Sequence, residues 1–284
     1  MEVAPDRLEL RATDGYRLGA TLFRSAAPNG RVVQVQSAAG VRQDYYAPFA
    51  AFLASRGFDV LTFDYRGVGR SVQGSVRRLV ARMRDWALLD CAAALSFLEG
   101  AFPGRKPLVV AHSFGGQALA VLPGNERLGG ALAVGSQSCY WRHWRGATRA
   151  GMWLLVTALL PGATRLCGYF PGALMRQGEN LPAGVALEWA RWCRDPRYLV
   201  GALGLAAQAE RFAAPFRLYS LSDDFYAPRA SAEALLELLP NARGELRRVR
   251  PADLGVERIG HFGFFRERVR DTLWREAADW LERI

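Results

Sequence analysis

The stretch LVVAHSFGGQ (108–117) constrains this chain more than any other. Branched apolar residues that favour extended backbone run straight into Ser113, two glycines and then a helical pattern. A strand that turns into a helix through one residue forces that residue into a strained conformation, so the positions two before and two after it must be small. Here they are Ala111 and Gly115, and Gly116 lets the helix pack close. The usual x-Gly-x-Ser-x-Gly form has glycine at the first position; alanine is small enough to keep the turn. The competing reading of Ser113 is an ordinary helix N-cap.

The surroundings repeat the same alternation. RLELRAT (7–13), Asp14-Gly15 and YRLGATLF (16–23) predict a β-hairpin. Strands follow within 31–37, 58–65, 106–113, 128–138, 216–222 and 244–250, separated by helical patterns at 44–57, 80–99, from about 115, near 230–239 and over 264–283. Strands alternating with helices predict an α/β fold with a parallel, doubly wound sheet, the opening hairpin adding antiparallel strands at one edge. The interval 139–213 breaks this rhythm. It has no strand pattern and holds five of the eight tryptophans: Trp141, Trp144, Trp153, Trp189 and Trp192. It reads as a helical insertion over the sheet, dividing the chain into a core (1–138 and 214–284) and a helical cap (139–213). A cap rich in apolar surface commonly roofs an apolar pocket.

Half of the 284 residues are apolar, enough to bury a large core. The formal charge is +10, yet Lys106 is the single lysine among 37 basic residues, and the arginines are scattered. RGATR (145–149) and RGELRRVR (243–250) are the densest clusters, and neither belongs to a nucleic-acid-binding motif. A nucleic-acid partner is therefore not expected. No run reaches the roughly 18 apolar residues of a membrane span; MWLLVTALL (152–160) stops at Pro161. The opening MEVAPDRLEL lacks the apolar core of a secretory signal, so the expected location is the cytoplasm. Cys91, Cys139, Cys167 and Cys193 lie too far apart for a C-x-x-C site, and with three histidines in all, neither a metal nor another cofactor is expected. The cysteines read as four reduced, mostly buried thiols.

A serine hydroxyl needs a base to become a nucleophile at neutral pH. Of the three histidines, His112 is next to Ser113 and alternation sends it to the other face. His143 lies in the insertion. His261, in RIGHFGFF just after the last strand, is flanked by glycines that suit an exposed loop. The order serine, acid, histidine makes His261 the expected base. The acid then falls in SLSDDFYAP, with Asp224 preferred and Asp223 a turn-capping neighbour and fallback. An oxyanion needs two donors: the backbone N–H of Phe114 and one from the loop after 31–37, where Ala39 is preferred and Ala38 and Gly40 remain open. In FDYRGVGRS (63–71), Asp64 and Arg66 read as charges that pair locally within a structural turn.

Together AHSFGGQ, FDYRGVGRS, SDDFYAP and IGHFGFF resemble the α/β-hydrolase superfamily. More narrowly, YYAPFAAFLASRGFDVLTFDYRGVGRS, EWARWCRDPRY and PADLGVERIGHFGFF resemble a bacterial group of predicted α/β hydrolases near the serine aminopeptidase-like and monoglyceride lipase-like branches. The resemblance implies an eight-stranded sheet, a Ser-His-Asp triad and a cap between strands six and seven. It does not imply a substrate, because the fold hosts many activities. Where the superfamily often has His-Gly before the oxyanion residue, this chain has Ser37-Ala38. The expected protein is a serine hydrolase without cofactor or metal. Ser113, His261 and Asp224 act on a small carboxylic ester with an apolar acyl or alcohol part. Amide or thioester cleavage, acyl transfer, or non-catalytic ligand or lipid binding are the alternatives.

Overall fold

The computed structural model describes residues 4–174 and 178–284. Strands β1 (Asp6–Arg11) and β2 (Arg17–Phe23) form the expected hairpin, closed by Asp14, whose carboxylate accepts the Tyr16 N–H at 3.2 Å. Then come β3 (Val32–Gln36), β4 (Asp59–Phe63), β5 (Leu108–His112) and β6 (Gly130–Val134). All four are buried along their whole length, as strands covered by helices on both faces must be. Two-residue strands β7 (Tyr169–Phe170) and β8 (Leu181–Pro182) pair with each other, and β9 (Pro215–Leu221) and β10 (Arg243–Val249) finish the set. The main sheet has eight strands in the order β1-β2-β4-β3-β5-β6-β9-β10. It is antiparallel as far as the β2–β4 contact and parallel beyond it.

Apolar side chains fill both faces. One core lies under the helix Cys91–Ala101 and the segment between β6 and β9; the other lies under Ala47–Ser55 and Arg275–Arg283. The edge strands are charged: β10 (RGELRRV) is mostly exposed, which discourages pairing with another sheet.

The structure refines several sequence expectations. The helix expected over 80–99 runs from Met83 to Ala101, with a wider π turn at Trp86–Asp90. The helix expected over 264–283 is a pair of 3₁₀ turns, a π turn at Arg270–Trp274 and an α-helix only from Arg275. Between β6 and β9 the segment is helical at 146–167, 183–192, 198–203 and 206–210, but it also holds the β7–β8 ribbon that its sequence did not signal. Two residues per strand are too few to show alternation. The helix Gly146–Cys167 is long and apolar enough to cross a membrane. Counting unbroken apolar runs missed this because glycine, threonine and proline interrupt them.

Candidate active site

β5 delivers Ser113 into a backbone conformation of φ +50° and ψ −112°. Among the described residues only Ser113 and Tyr198 combine a side chain with positive φ. Such strain persists only where the surroundings fix it. Here the Ser113 N–H donates to the Val134 carbonyl at 2.9 Å, and Gly116 N–H donates to the Ser113 carbonyl at 3.1 Å. The helix Phe114–Ala118 then packs so tightly that a Cβ on Gly115 would lie 2.2 Å from the Gln36 carbonyl oxygen of β3. One on Gly116 would lie 2.3 Å from Ser136 Oγ. The Ser113 side chain makes no capping bond, so the N-cap reading is not realised.

His261 Nδ1 lies 2.7 Å from Asp224 Oδ2. The carboxylate cannot donate when ionised, so the imidazole N–H points to it, which leaves Nε2 free to accept a proton. The other oxygen, Oδ1, accepts the N–H groups of Tyr226 (2.8 Å) and Ala227 (3.1 Å), so the Asp224 carboxylate is fixed as well as buried. Asp223, the fallback acid, faces elsewhere: its Oδ2 accepts the N–H groups of Ile259 (2.8 Å) and Gly260 (2.9 Å) and pins the loop that carries His261. Gly135, at the end of β6, makes room for the pair; a Cβ there would stand 3.0 Å from Asp224 Oδ2 and 3.1 Å from His261 Nδ1.

The serine's neighbour His112 ties the strand end to the histidine loop. His112 Nε2 lies 3.0 Å from the His261 carbonyl, and the two rings are 4.9 Å apart. Because a carbonyl only accepts, His112 carries its proton on Nε2. Its Nδ1 must then accept from the Tyr46 hydroxyl at 2.8 Å, and that hydroxyl accepts the Ala38 N–H at 2.9 Å. Burial, then the adjacent His261, hold His112 well below the ordinary histidine pKa, so it is neutral. Ser113 Oγ and His261 Nε2 each lack a hydrogen-bond partner among the described residues, and no bond joins them. Catalytic hydrogen bonds of this kind commonly tighten only in the transition-state complex.

Among the three candidates for the second oxyanion donor, Ala38 is occupied by Tyr46, whereas the N–H groups of Ala39 and Phe114 have no partner among the described residues. Gly40 is tied from the other side, its carbonyl accepting the Glu179 N–H at 2.7 Å. His143 is half-buried, reaches Ser138 Oγ at 3.3 Å and, among the described residues, makes no hydrogen bond to Ser113, Asp224 or His261. It lines a hollow of about 530 Å3 with Trp144, Arg145, Asp224, Phe225 and Arg229, which flanks the acid rather than the serine. This hollow mixes aromatic and charged walls. Exposed aromatic rings do stand at the histidine: Tyr226 and Phe262 are each 5.1 Å from the His261 ring.

Asp64 and Arg66 hold the turn after β4. Asp64 accepts the N–H groups of Gln43 (2.8 Å) and Arg70 (2.9 Å). Arg66 pairs with Asp90 and Asp14, both at 2.6 Å. The structural reading holds: Arg70 is a local partner, whereas Gln43, Asp14 and Asp90 come from outside the turn. Tyr46, Gly135 and the pinning role of Asp223 escaped the sequence. Only the glycine directly after the β6 pattern offered a signal.

A parallel-sheet α/β fold with a strained serine between strand and helix defines the class. A sequence model of the Alpha/beta hydrolase family matches residues 37–273, and the chain belongs to that family. No curated protein matches it in sequence. In structure it is similar to the esterase Pf2001 of Pyrococcus furiosus (15% identity, covering 99% of this chain and 92% of that one, TM-score 0.61). It is also similar to the α/β hydrolase GrgF of Penicillium sp. sh18 (18%, 99% and 99%, TM-score 0.66). A third is the esterase domain of a Rhodothermus marinus protein (16%, 99% and 99%, TM-score 0.60). At these identities the likeness is one of fold.

Proposed function

We propose that the protein is a serine hydrolase of carboxylic esters with an apolar acyl or alcohol part. The observation that carries this is the Asp224–His261 pair at 2.7 Å, on a loop hydrogen-bonded to the residue next to the strained Ser113. In this reading Ser113 Oγ attacks the ester carbonyl while its proton passes to His261 Nε2. Asp224 holds the Nδ1–H and stabilises the imidazolium. The N–H groups of Phe114 and Ala39 receive the negative oxygen. His261 returns the proton to the leaving alcohol, and the serine acyl ester is then cleaved by water activated at the same nitrogen. The segment 139–213 acts as the cap. The aromatic rings of Tyr226 and Phe262 beside His261 favour an apolar substrate.

The test is labelling by a fluorophosphonate together with a p-nitrophenyl ester chain-length series. Labelling should fall on Ser113, and Ser113→Ala should lose it while remaining folded. His261→Ala should lower kcat by roughly 10⁴-fold or more, as removal of a triad base does elsewhere, while His143→Ala should stay near wild type. A folded, unlabelled wild-type protein would contradict the reading.

A further inference from the structure

Gly146–Cys167 is one helical segment of 22 residues with a π turn at Leu155–Leu159. Its inner side is Val156, Leu160 and Thr164, four residues apart and buried. The other side leaves Trp153 (49%), Leu154 (44%), Leu159 (57%) and Leu166 (86%) exposed, together with Ala150, Gly151, Ala158 and Gly162. No charged residue occurs between Arg149 and Arg165. A helix face in water ordinarily carries polar residues, and an apolar patch of this extent marks a contact surface.

The charge around it says what the contact is. From Arg127 to Gly178 the sequence has six arginines and no Asp or Glu. Among the described residues, Arg142, Arg145, Arg149 and Arg165 have no carboxylate partner. An apolar face edged by arginines without a carboxylate partner complements an anionic lipid surface, with side chains in the acyl boundary and guanidinium groups at the headgroups. A second copy of the chain would bring the same arginines against each other. A span is opposed by the packing: Val156, Leu160 and Pro161 are buried against the molecule. Just before the helix, Trp144 Nε1 donates to the Phe225 carbonyl at 3.1 Å. We propose that the outer face of helix 146–167 docks the protein onto anionic lipid, lying in the interface plane. That end of the helix adjoins the hollow beside Asp224, so docking holds the candidate site close to the lipid.

The experiment is co-sedimentation of the full chain with phosphatidylglycerol–phosphatidylcholine vesicles and with pure phosphatidylcholine, beside sedimentation velocity without lipid. Wild type should bind the mixed vesicles at low ionic strength, bind pure phosphatidylcholine far less, and dissociate as salt rises. Leu154→Ser with Leu159→Ser should weaken partitioning at least about tenfold, and Arg149→Gln with Arg165→Gln should weaken binding to anionic vesicles alone. Both pairs should keep wild-type activity on a water-soluble ester, so failure of docking and failure of the serine chemistry read out separately. The proposal is overturned by no binding at low salt or by equal binding to both vesicles. It is equally overturned by resistance to alkaline carbonate, which marks a span, or by self-association without lipid that the leucine substitutions abolish.

Discussion

His112 stands one residue before the serine and holds together parts of the chain that the sequence keeps far apart. Through Tyr46 it reaches Ala38 in the loop after β3, and through Nε2 it reaches the backbone of His261. The folded imidazole is neutral, whereas an unfolded one takes a proton near pH 6.5. Below that pH the unfolded state therefore binds more protons, and stability should fall by about 1.4 kcal/mol per pH unit on acidification from this group alone. Urea unfolding of wild type and His112→Asn across the acid range checks this: the variant, though less stable, should show the shallower dependence. Tyr46→Phe should leave the Ala38 N–H buried without an acceptor, costing about 1–3 kcal/mol. By loosening the loop that offers Ala39, it should also lower kcat more than it changes KM. Equal unfolding midpoints for the two proteins would contradict this role. Strand alternation correctly turns His112 away from Ser113. Nothing in the sequence links it to Tyr46, because pairing across distant segments follows from sheet order, which no local pattern encodes.

At the level of elements, the strand-to-helix turn at Ser113 was the most legible feature, because its steric demands are local. The reason each glycine is needed was not. Gly115 is confined by the Gln36 carbonyl of β3, and Gly116 by Ser136 beyond β6, so the two glycines let one helix sit close to the strands on either side of β5. Gly116→Ala should cost about 1–3 kcal/mol, the range for overpacking a filled core. Gly100, in the helix Cys91–Ala101, has nothing within 4 Å of an added Cβ. There Gly→Ala should instead stabilise by roughly 0.5–1 kcal/mol through helix propensity. Thermal and urea unfolding of the two variants should move in opposite directions; two shifts of the same sign would mean that close approach is not what selects glycine at the turn. The buried parallel strands were equally readable, as short apolar runs bounded by loops. The segment between β6 and β9 was readable only as helical, since its packing depends on contacts with distant loops, such as Glu179 on Gly40.

Across the whole molecule, one buried arginine ties together the antiparallel edge, the parallel centre and a flanking helix. Arg66 follows β4; its partners are Asp14 in the hairpin turn and Asp90 in the helix that covers one face. Its backbone carbonyl also accepts the Trp86 Nε1–H at 3.1 Å. Burial raises the Asp90 carboxyl to about 6, against the opposing pull of Arg66, and Arg66 itself stays charged. Removing the arginine would strand Asp90 without its counter-charge. Arg66→Met should therefore destabilise by about 3–5 kcal/mol near neutral pH. The loss should shrink in acid, where Asp90 can take a proton and no longer buries a charge. Arg66→Met combined with Asp90→Leu should recover much of it, because the desolvation cost of both ions disappears together. Urea denaturation of the single and double variants at neutral and acid pH decides the matter. If the double variant is no more stable than the single one, the pair holds the layers by geometry rather than by charge, and the hairpin edge should then be the first part to exchange its amide protons.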